Sequence, residues 1–287
     1  MIAIAGAKPL NVVTSIPDIA DMTRKIGGNR VVVTSLATGK EDLHAVPARP
    51  NFLPILNKAD LLITLGLDAE HAWLPALAKS ARNPKIAEGQ PGWISLEKGI
   101  TVLNKPTTIS RTEGEQHPEG NPHFNIGPQA GHSMAHNICV ALSKADPAGK
   151  VLYESNCDAY CETIASAVAD LKVRGAVLKG KKVIAYHEDM AYLCGFYGMA
   201  QIGTIEVKPG VPPTASHLKQ VETLGREKGV DLIVFNQSQS SKIPQKISLS
   251  TKVPTVQIAN AVGAFDPIKS WIDLQKFNLN LLLKAVK

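Results

Sequence analysis

The sequence predicts an α/β protein of two lobes, each a mainly parallel sheet flanked by helices, with one long rigid helix joining them. Three observations lead there. Short β-rich apolar runs alternate with helical patterns in the first half of the chain, and the same alternation returns in the second. Between the halves, Asp146-Pro147 places Asp at a cap position and Pro at the first helical residue, and residues 150–174 then contain neither Gly nor Pro. Finally, 287 residues, 44% hydrophobic and 20% charged, provide enough apolar material for two domains with cores of their own.

The first lobe is expected over residues 8–145. Its strands are predicted at 10–15, 31–36 and 61–65, with helices at 18–26, 51–58 and 72–81 and a further helix at 128–142. The linking helix is expected over 146–178. About 30 residues rising roughly 1.5 Å each span about 45 Å, so the link is a stiff rod that limits closure of one lobe on the other. The second lobe, 179–287, carries predicted strands at 182–186, 201–207, 231–235 and 254–258, helices at 189–197 and 215–228, and a closing helix at 269–285. One long irregular segment, 105–127, holds Pro106, Gly114, Pro118, Gly120, Pro122 and Gly127, and loops of that length in compact domains are usually functional or mobile.

Composition removes several function classes. The 31 basic and 25 acidic residues leave a net charge of +6 spread without a block of five like charges, so neither nucleic acid nor a membrane surface is an expected partner. No apolar run approaches the roughly 18–20 residues needed to span a bilayer; the longest, around 61–67, has the length of a buried strand. The small apolar stretch from Met1 ends in Ala5-Gly6-Ala7, the kind of triplet that precedes a signal-peptidase cut, and reads as the stump of an export signal. Cys139, Cys157, Cys161 and Cys194 show no CxxC spacing; Cys157 and Cys161, at i and i+4 on one helix face, read as free buried thiols.

The eight histidines divide by context. His44 follows a strand in Gly39-Lys-Glu-Asp-Leu-His44, His123 lies at the end of the Pro/Gly-rich segment, and His187 closes Val183-Ile-Ala-Tyr-His187 at a strand's C-terminal end. In open α/β sheets ligands gather at the carboxyl ends of strands, so His44 from the first lobe and His187 from the second are expected to converge in a cleft. His132 and His136 have helical i, i+4 spacing but lack the Glu of HExxH, and read as surface residues. His71 and His217 read as packing or capping residues.

These residues resemble those of the cluster A-I substrate-binding proteins of bacterial metal-importing ABC transporters, the zinc- and manganese-binding group. The segment Asp42-Leu-His44 with Pro47, Arg49-Pro50 and Ala59-Asp60-Leu-Leu is similar to the family's Asp-Pro-His segment and the helix and strand after it. Gly66-Leu67, Glu70 and Trp73-Leu74 match the family's next run; His117-Pro-Glu-Gly-Asn-Pro-His123 resembles the second ligand segment, and Tyr186-His-Glu-Asp-Met-Ala-Tyr192 with Gly195-Phe-Tyr-Gly198 the third. Glu206-Val-Lys-Pro-Gly-Val-Pro-Pro213 is similar to a stretch found in a zinc-type branch. The resemblance covers nearly the whole chain.

The resemblance implies two α/β lobes joined by a long helix, with one divalent ion held by His44, His123 and His187. It implies an extracytoplasmic protein, periplasmic or lipid-anchored in its precursor, that captures the ion as a monomer and delivers it to a membrane permease. Three imidazoles make a nitrogen-rich site that suits Zn²⁺ better than Mn²⁺. Two departures bear on a fourth ligand: Asn260 and Asn236 stand where the family often has acidic residues, leaving His117, Asn260, Glu206 or water. Phe124-Asn-Ile-Gly-Pro128 also replaces the usual Trp-Leu-Asp-Pro. Because imidazole must be neutral to bind, capture is expected to weaken as pH falls toward and below about 6.5. The competing expectation is a zinc hydrolase with Glu188 as base, disfavoured because neighbouring residues at a strand end point apart and no nucleophile motif accompanies the histidines. An adhesin or metallochaperone on the same scaffold is a third.

Overall fold

The computed structural model describes residues 8–107, 117–208 and 210–286. The export-signal expectation at Met1–Ala7 and residues 108–116 of the irregular segment lie outside the described residues. The chain forms two compact units. Unit 1 comprises Met1–Gly66, Glu70–Gly99 and Gly131–Ile164; unit 2 comprises Leu67–Ala69, Ile100–Ala130 and Ala165–Lys287.

Unit 1 is built on a parallel sheet of order β2-β1-β3-β4, with β1 Leu10–Thr14, β2 Val31–Ser35, β3 Leu61–Thr64 and β4 Trp93–Ser95. The helices are α1 Pro17–Gly27, α2 Phe52–Asn57, α3 Leu74–Ser80 and α4 Gly131–Ala145. Pro17 opens α1 where a missing N–H costs nothing, and Ile19, Met22 and Ile26 bury one side of it. All four residues of β3 are buried, as expected of a central strand covered on both faces. β4 is a three-residue edge strand that the sequence did not signal.

Helix α5, Lys150–Arg174, begins in unit 1 and ends in unit 2, entered by a 3₁₀ turn at Pro147–Gly149 and left by another at Gly175–Leu178. The predicted long helix is therefore present, tightened at both ends. Asp146 occupies the cap position, but its carboxylate does not cap the turn. It accepts from Arg30 Nε and Nη2 at 2.7 and 2.9 Å and from the Tyr153 hydroxyl at 2.7 Å, tying the start of α5 to the turn before β2.

Unit 2 repeats the plan with order β6-β5-β7-β8: β5 Lys182–Ala185, β6 Ala200–Thr204, β7 Leu232–Asn236 and β8 Thr255–Ile258, all parallel. Side chains alternate across this sheet and build a core on each face. Val183, Ala185, Leu232 and Val234 pack with Leu193 and Tyr197 of α6 (Ala191–Tyr197) and with Leu279 and Leu282 of α9 (Trp271–Ala285). Ile184 and Ile233 face the other way, toward Val221 of α7 (Ala215–Glu227) and Ile247 of α8 (Lys242–Thr251). Asn278 of α9 closes one end of β8: its amide accepts from Ala259 N–H at 2.9 Å and donates to Ala259 C=O at 2.8 Å. No helix among the described residues is long and apolar enough to cross a membrane.

Candidate metal centre

The strand order of unit 2 reverses between β5 and β7, and open parallel sheets bind ligands beyond the carboxyl ends of the strands at such a switch. His187 sits there, two residues past the end of β5, in extended conformation before the 3₁₀ turn Glu188–Met190. Its ring is buried and its Nδ1 lies 2.8 Å from Glu206 Oε2. An ionised carboxylate only accepts, so the contact fixes the tautomer with hydrogen on Nδ1 and the lone pair on Nε2. Glu206 reaches this point because β6 stops at Thr204, earlier than the predicted strand over 201–207; its carboxylate also accepts from Gly210 N–H at 3.3 Å.

His123 enters from the 3₁₀ turn His123–Ile126 and is buried. Asn121 Oδ1 lies 3.0 Å from both its backbone N–H and its ring Nδ1. The amide nitrogen of Asn121 is spent on Glu188 C=O at 2.6 Å, which leaves Oδ1 facing the ring as an acceptor. His123 is therefore held in the same tautomer as His187, and the two rings meet edge to face with centroids 5.2 Å apart. The backbone before it turns through Gly120 at φ +114°, where a Cβ would meet Val102 Cγ1 at 2.3 Å. Tyr192 braces the turn, its hydroxyl donating to Asn121 C=O at 2.8 Å and accepting from Leu103 N–H at 3.1 Å. The sequence did not single out Asn121 as a positioning residue; its signal was an Asn two residues before a His, the spacing of an Asx turn.

The other unit 2 candidates have assigned places. His117 meets His123 edge to face at 6.3 Å between centroids. Asn260 is tied through both side chain and backbone: its Oδ1 accepts from Gln237 Nε2 and its N–H donates to Gln237 Oε1 at 3.0 Å. Asn236 donates to Asp189 Oδ2 at 2.7 Å. Burial pushes the Asp189 carboxyl up to about 6, opposed by the neighbouring His187 and by the Asn236 amide. Glu188 Oε2 accepts from Asn104 at 3.3 Å and Gln201 at 3.5 Å.

In unit 1, His44 is buried in the loop after β2, and its backbone N–H donates to Asp42 Oδ1 at 2.9 Å. Trp73 Nε1 grips the preceding carbonyl, Leu43 C=O, at 3.0 Å. Glu41 gathers Thr38 N–H at 2.9 Å and Arg49 Nη2 at 2.7 Å, so this loop is held along its length. Glu70, fully enclosed, accepts from Ser15 Oγ at 2.6 Å and Leu65 N–H at 2.9 Å, and burial pushes its carboxyl up despite these donors. The remaining histidines lie elsewhere. His71, His132 and His136 are exposed, and His217 ring Nε2 sits 2.9 Å from Thr204 C=O. His217 is not itself a cap: Thr214 caps α7 by accepting from His217 N–H.

The chain matches the family described as "Zinc-uptake complex component A periplasmic" over residues 12–285. It is 24% identical over 285 residues to the high-affinity zinc uptake system protein ZnuA of Bacillus subtilis (strain 168), covering 95% of this chain and 86% of that protein. It is 23% identical over 293 residues to the manganese ABC transporter substrate-binding lipoprotein scaA of Streptococcus gordonii, covering 98% and 90%. Among solved structures, a crystal structure of ZnuA superposes with a TM-score of 0.80 at 24% identity over 98% of this chain and all of that one. A manganese-bound periplasmic metal binding protein from candidatus Liberibacter asiaticus superposes with a TM-score of 0.79 at 21% identity, again over 98% of this chain.

Proposed function

Because the chain belongs to the zinc-uptake component A family of metal ABC transporter substrate-binding proteins, we propose that it captures Zn²⁺ through His44, His123 and His187 and passes it to a membrane permease. The family consists of extracytoplasmic transport components, and the chain is not an enzyme. The observation that carries the reading is the matched pair of imidazoles in unit 2. Each has its Nδ1 engaged, by Asn121 or by Glu206, so each Nε2 carries a lone pair of the kind a divalent ion takes. Nothing comparable supports Glu188 as a hydrolytic base, since its carboxylate is bonded to Asn104 and Gln201.

The choice of Zn²⁺ rests on the donor set. Imidazole nitrogens favour Zn²⁺, whereas Mn²⁺ prefers oxygen, and two side chains that could have added oxygen are committed elsewhere: Glu206 to His187, Asn260 to Gln237. That leaves the fourth place to His117 or water. The protein works as a monomer in this proposal, with the ion as cargo. Competition titration with Zn²⁺ and Mn²⁺ on wild type and on His44→Ala, His123→Ala and His187→Ala tests it. One equivalent of Zn²⁺, held more tightly than Mn²⁺ and weakened strongly by each substitution, is the expected result. Preference for Mn²⁺, or affinity indifferent to the three substitutions, overturns it.

A further inference from the structure

In unit 2 the turns that carry His123 and His187 are each tied, two residues past the histidine, to the end of a different strand. Asn125, buried in the 3₁₀ turn of His123, donates from Nδ2 to Asn260 C=O at 2.9 Å, just past β8. Its own C=O accepts from Trp271 Nε1 at 2.7 Å and Gln275 Nε2 at 3.0 Å. Asp189, in the turn after His187, accepts instead from Asn236, the last residue of β7. The paired backbone of β7 and β8 ends at Asn236 and Ile258. Beyond that pair Gln237 bridges the two strand ends. Its Oε1 accepts from Asn260 N–H at 3.0 Å, which fixes the orientation of the amide, and its Nε2 donates to Asn260 Oδ1.

We propose that Gln237 is a positioning residue for metal capture: by clasping Asn260 it holds the ends of β7 and β8 together and so fixes the spacing of the His123 and His187 rings. The inference rests on the reading that these two histidines take the cargo ion. A chain of contacts runs from Asp189 to Asn236, along the backbone to Gln237, across to Asn260 and on to Asn125, and it touches neither ring. Asn121 and Tyr192 already hold the near side of the His123 turn. A turn anchored on one side can pivot; the second anchor, on its far side through Asn125, removes that freedom. Asp189, Asn236 and Asn125 are buried, so these contacts are not exchanged for water, whereas Gln237 and Asn260 are only half-buried and the clasp can be altered without opening the core. Donors already held in place lose less freedom when the ion arrives, so opening the clasp weakens binding although no ligand is removed.

The test compares the full chain with Gln237→Met, which keeps most of the side-chain volume and loses both bonds. Without metal, the nuclear Overhauser effect between the ring protons of His123 and His187, whose centroids lie 5.2 Å apart, reports their spacing. Zn²⁺ affinity is then measured by competition. Gln237→Met is expected to weaken the cross-ring effect and to lower Zn²⁺ affinity about three- to tenfold, the worth of a neutral hydrogen bond, with the circular dichroism spectrum unchanged. Asn125→Ala should cost clearly less affinity in the Gln237→Met background than in wild type, because the clasp it works through is already open. The proposal is overturned if Gln237→Met leaves the cross-ring effect and the affinity at wild-type levels, whatever it does to the urea midpoint, or if the two substitutions are strictly additive. A wild type that binds no Zn²⁺ would sink the capture reading instead, and the metal-free ring measurement would still decide whether Gln237 sets the spacing.

Discussion

Glu206 offers the sharpest prediction about the metal centre, because it was a candidate for direct ligation and the structure gives it another partner. Its carboxylate accepts from His187 Nδ1 at 2.8 Å, with side chains only 17% and 11% exposed, respectively. A partly buried hydrogen bond to a charged acceptor contributes about 1.5–3 kcal/mol. At about 1.4 kcal/mol per tenfold, Glu206→Ala should cost on the order of 10- to 100-fold in metal affinity, the range usual for a group that orients a ligand. Glu206→Gln retains a neutral acceptor worth roughly half as much, so the loss should be about 1 kcal/mol, or near fivefold. On the proposed ligand set, His187→Ala removes a metal–nitrogen bond outright and should cost far more than either. The assay is competition against a chromophoric chelator at neutral pH and fixed ionic strength, with all four proteins side by side. Equal losses in Glu206→Ala and His187→Ala would make Glu206 a direct ligand. A loss under twofold in both Glu206 variants would mean that the carboxylate does not hold the ring.

Asp146→Asn breaks the two-pronged contact from Arg30; that guanidinium, together with the Tyr153 hydroxyl, holds the Asp146 carboxyl below the usual range. The stabilisation is therefore present above the ordinary carboxylate pKa and is lost as pH falls through the depressed value, so urea midpoints of variant and wild type should differ at neutral pH and converge as the pH is lowered through that depressed value. Gly120→Ala forces a side chain into a positive-φ turn against Val102, which should cost at least about 1–3 kcal/mol in urea unfolding and weaken metal binding through His123. Asn278→Ala strips both partners from the buried backbone of Ala259; at about 1–3 kcal/mol each, a loss of about 2–6 kcal/mol is expected, read as a lower urea midpoint at an unchanged slope.

Much of the fold was legible because parallel strands buried on both faces write themselves as short apolar runs. The predicted strands 10–15, 61–65 and 182–186 end within one residue of β1, β3 and β5. β4 went unseen because three half-buried residues carry no period, and α8 because Pro244 interrupts its first turn, where a missing N–H is tolerated. The proposed ligands were found by their places at loop edges. Their supports, Asn121 and Glu206, were not legible in those roles. The first acts through a local turn, and the second depends on where β6 ends, a boundary set by pairing to β5 and not by the residues themselves.

The way the units interleave along the chain sets an order of assembly. Unit 1 needs Gly131–Ile164, which carries α4 and the first part of α5, before α1 can be covered by α4. A chain emerging N-terminus first thus leaves α1 without its α4 cover until residues 131–145 are clear. The segment bearing His123 appears earlier still, but the groups that brace its turn, Glu188 and Tyr192, emerge only afterwards. On the proposed ligand set, a competent site is therefore completed only late in biogenesis, and a nascent chain caught before residue 192 has emerged lacks the braces of the His123 turn.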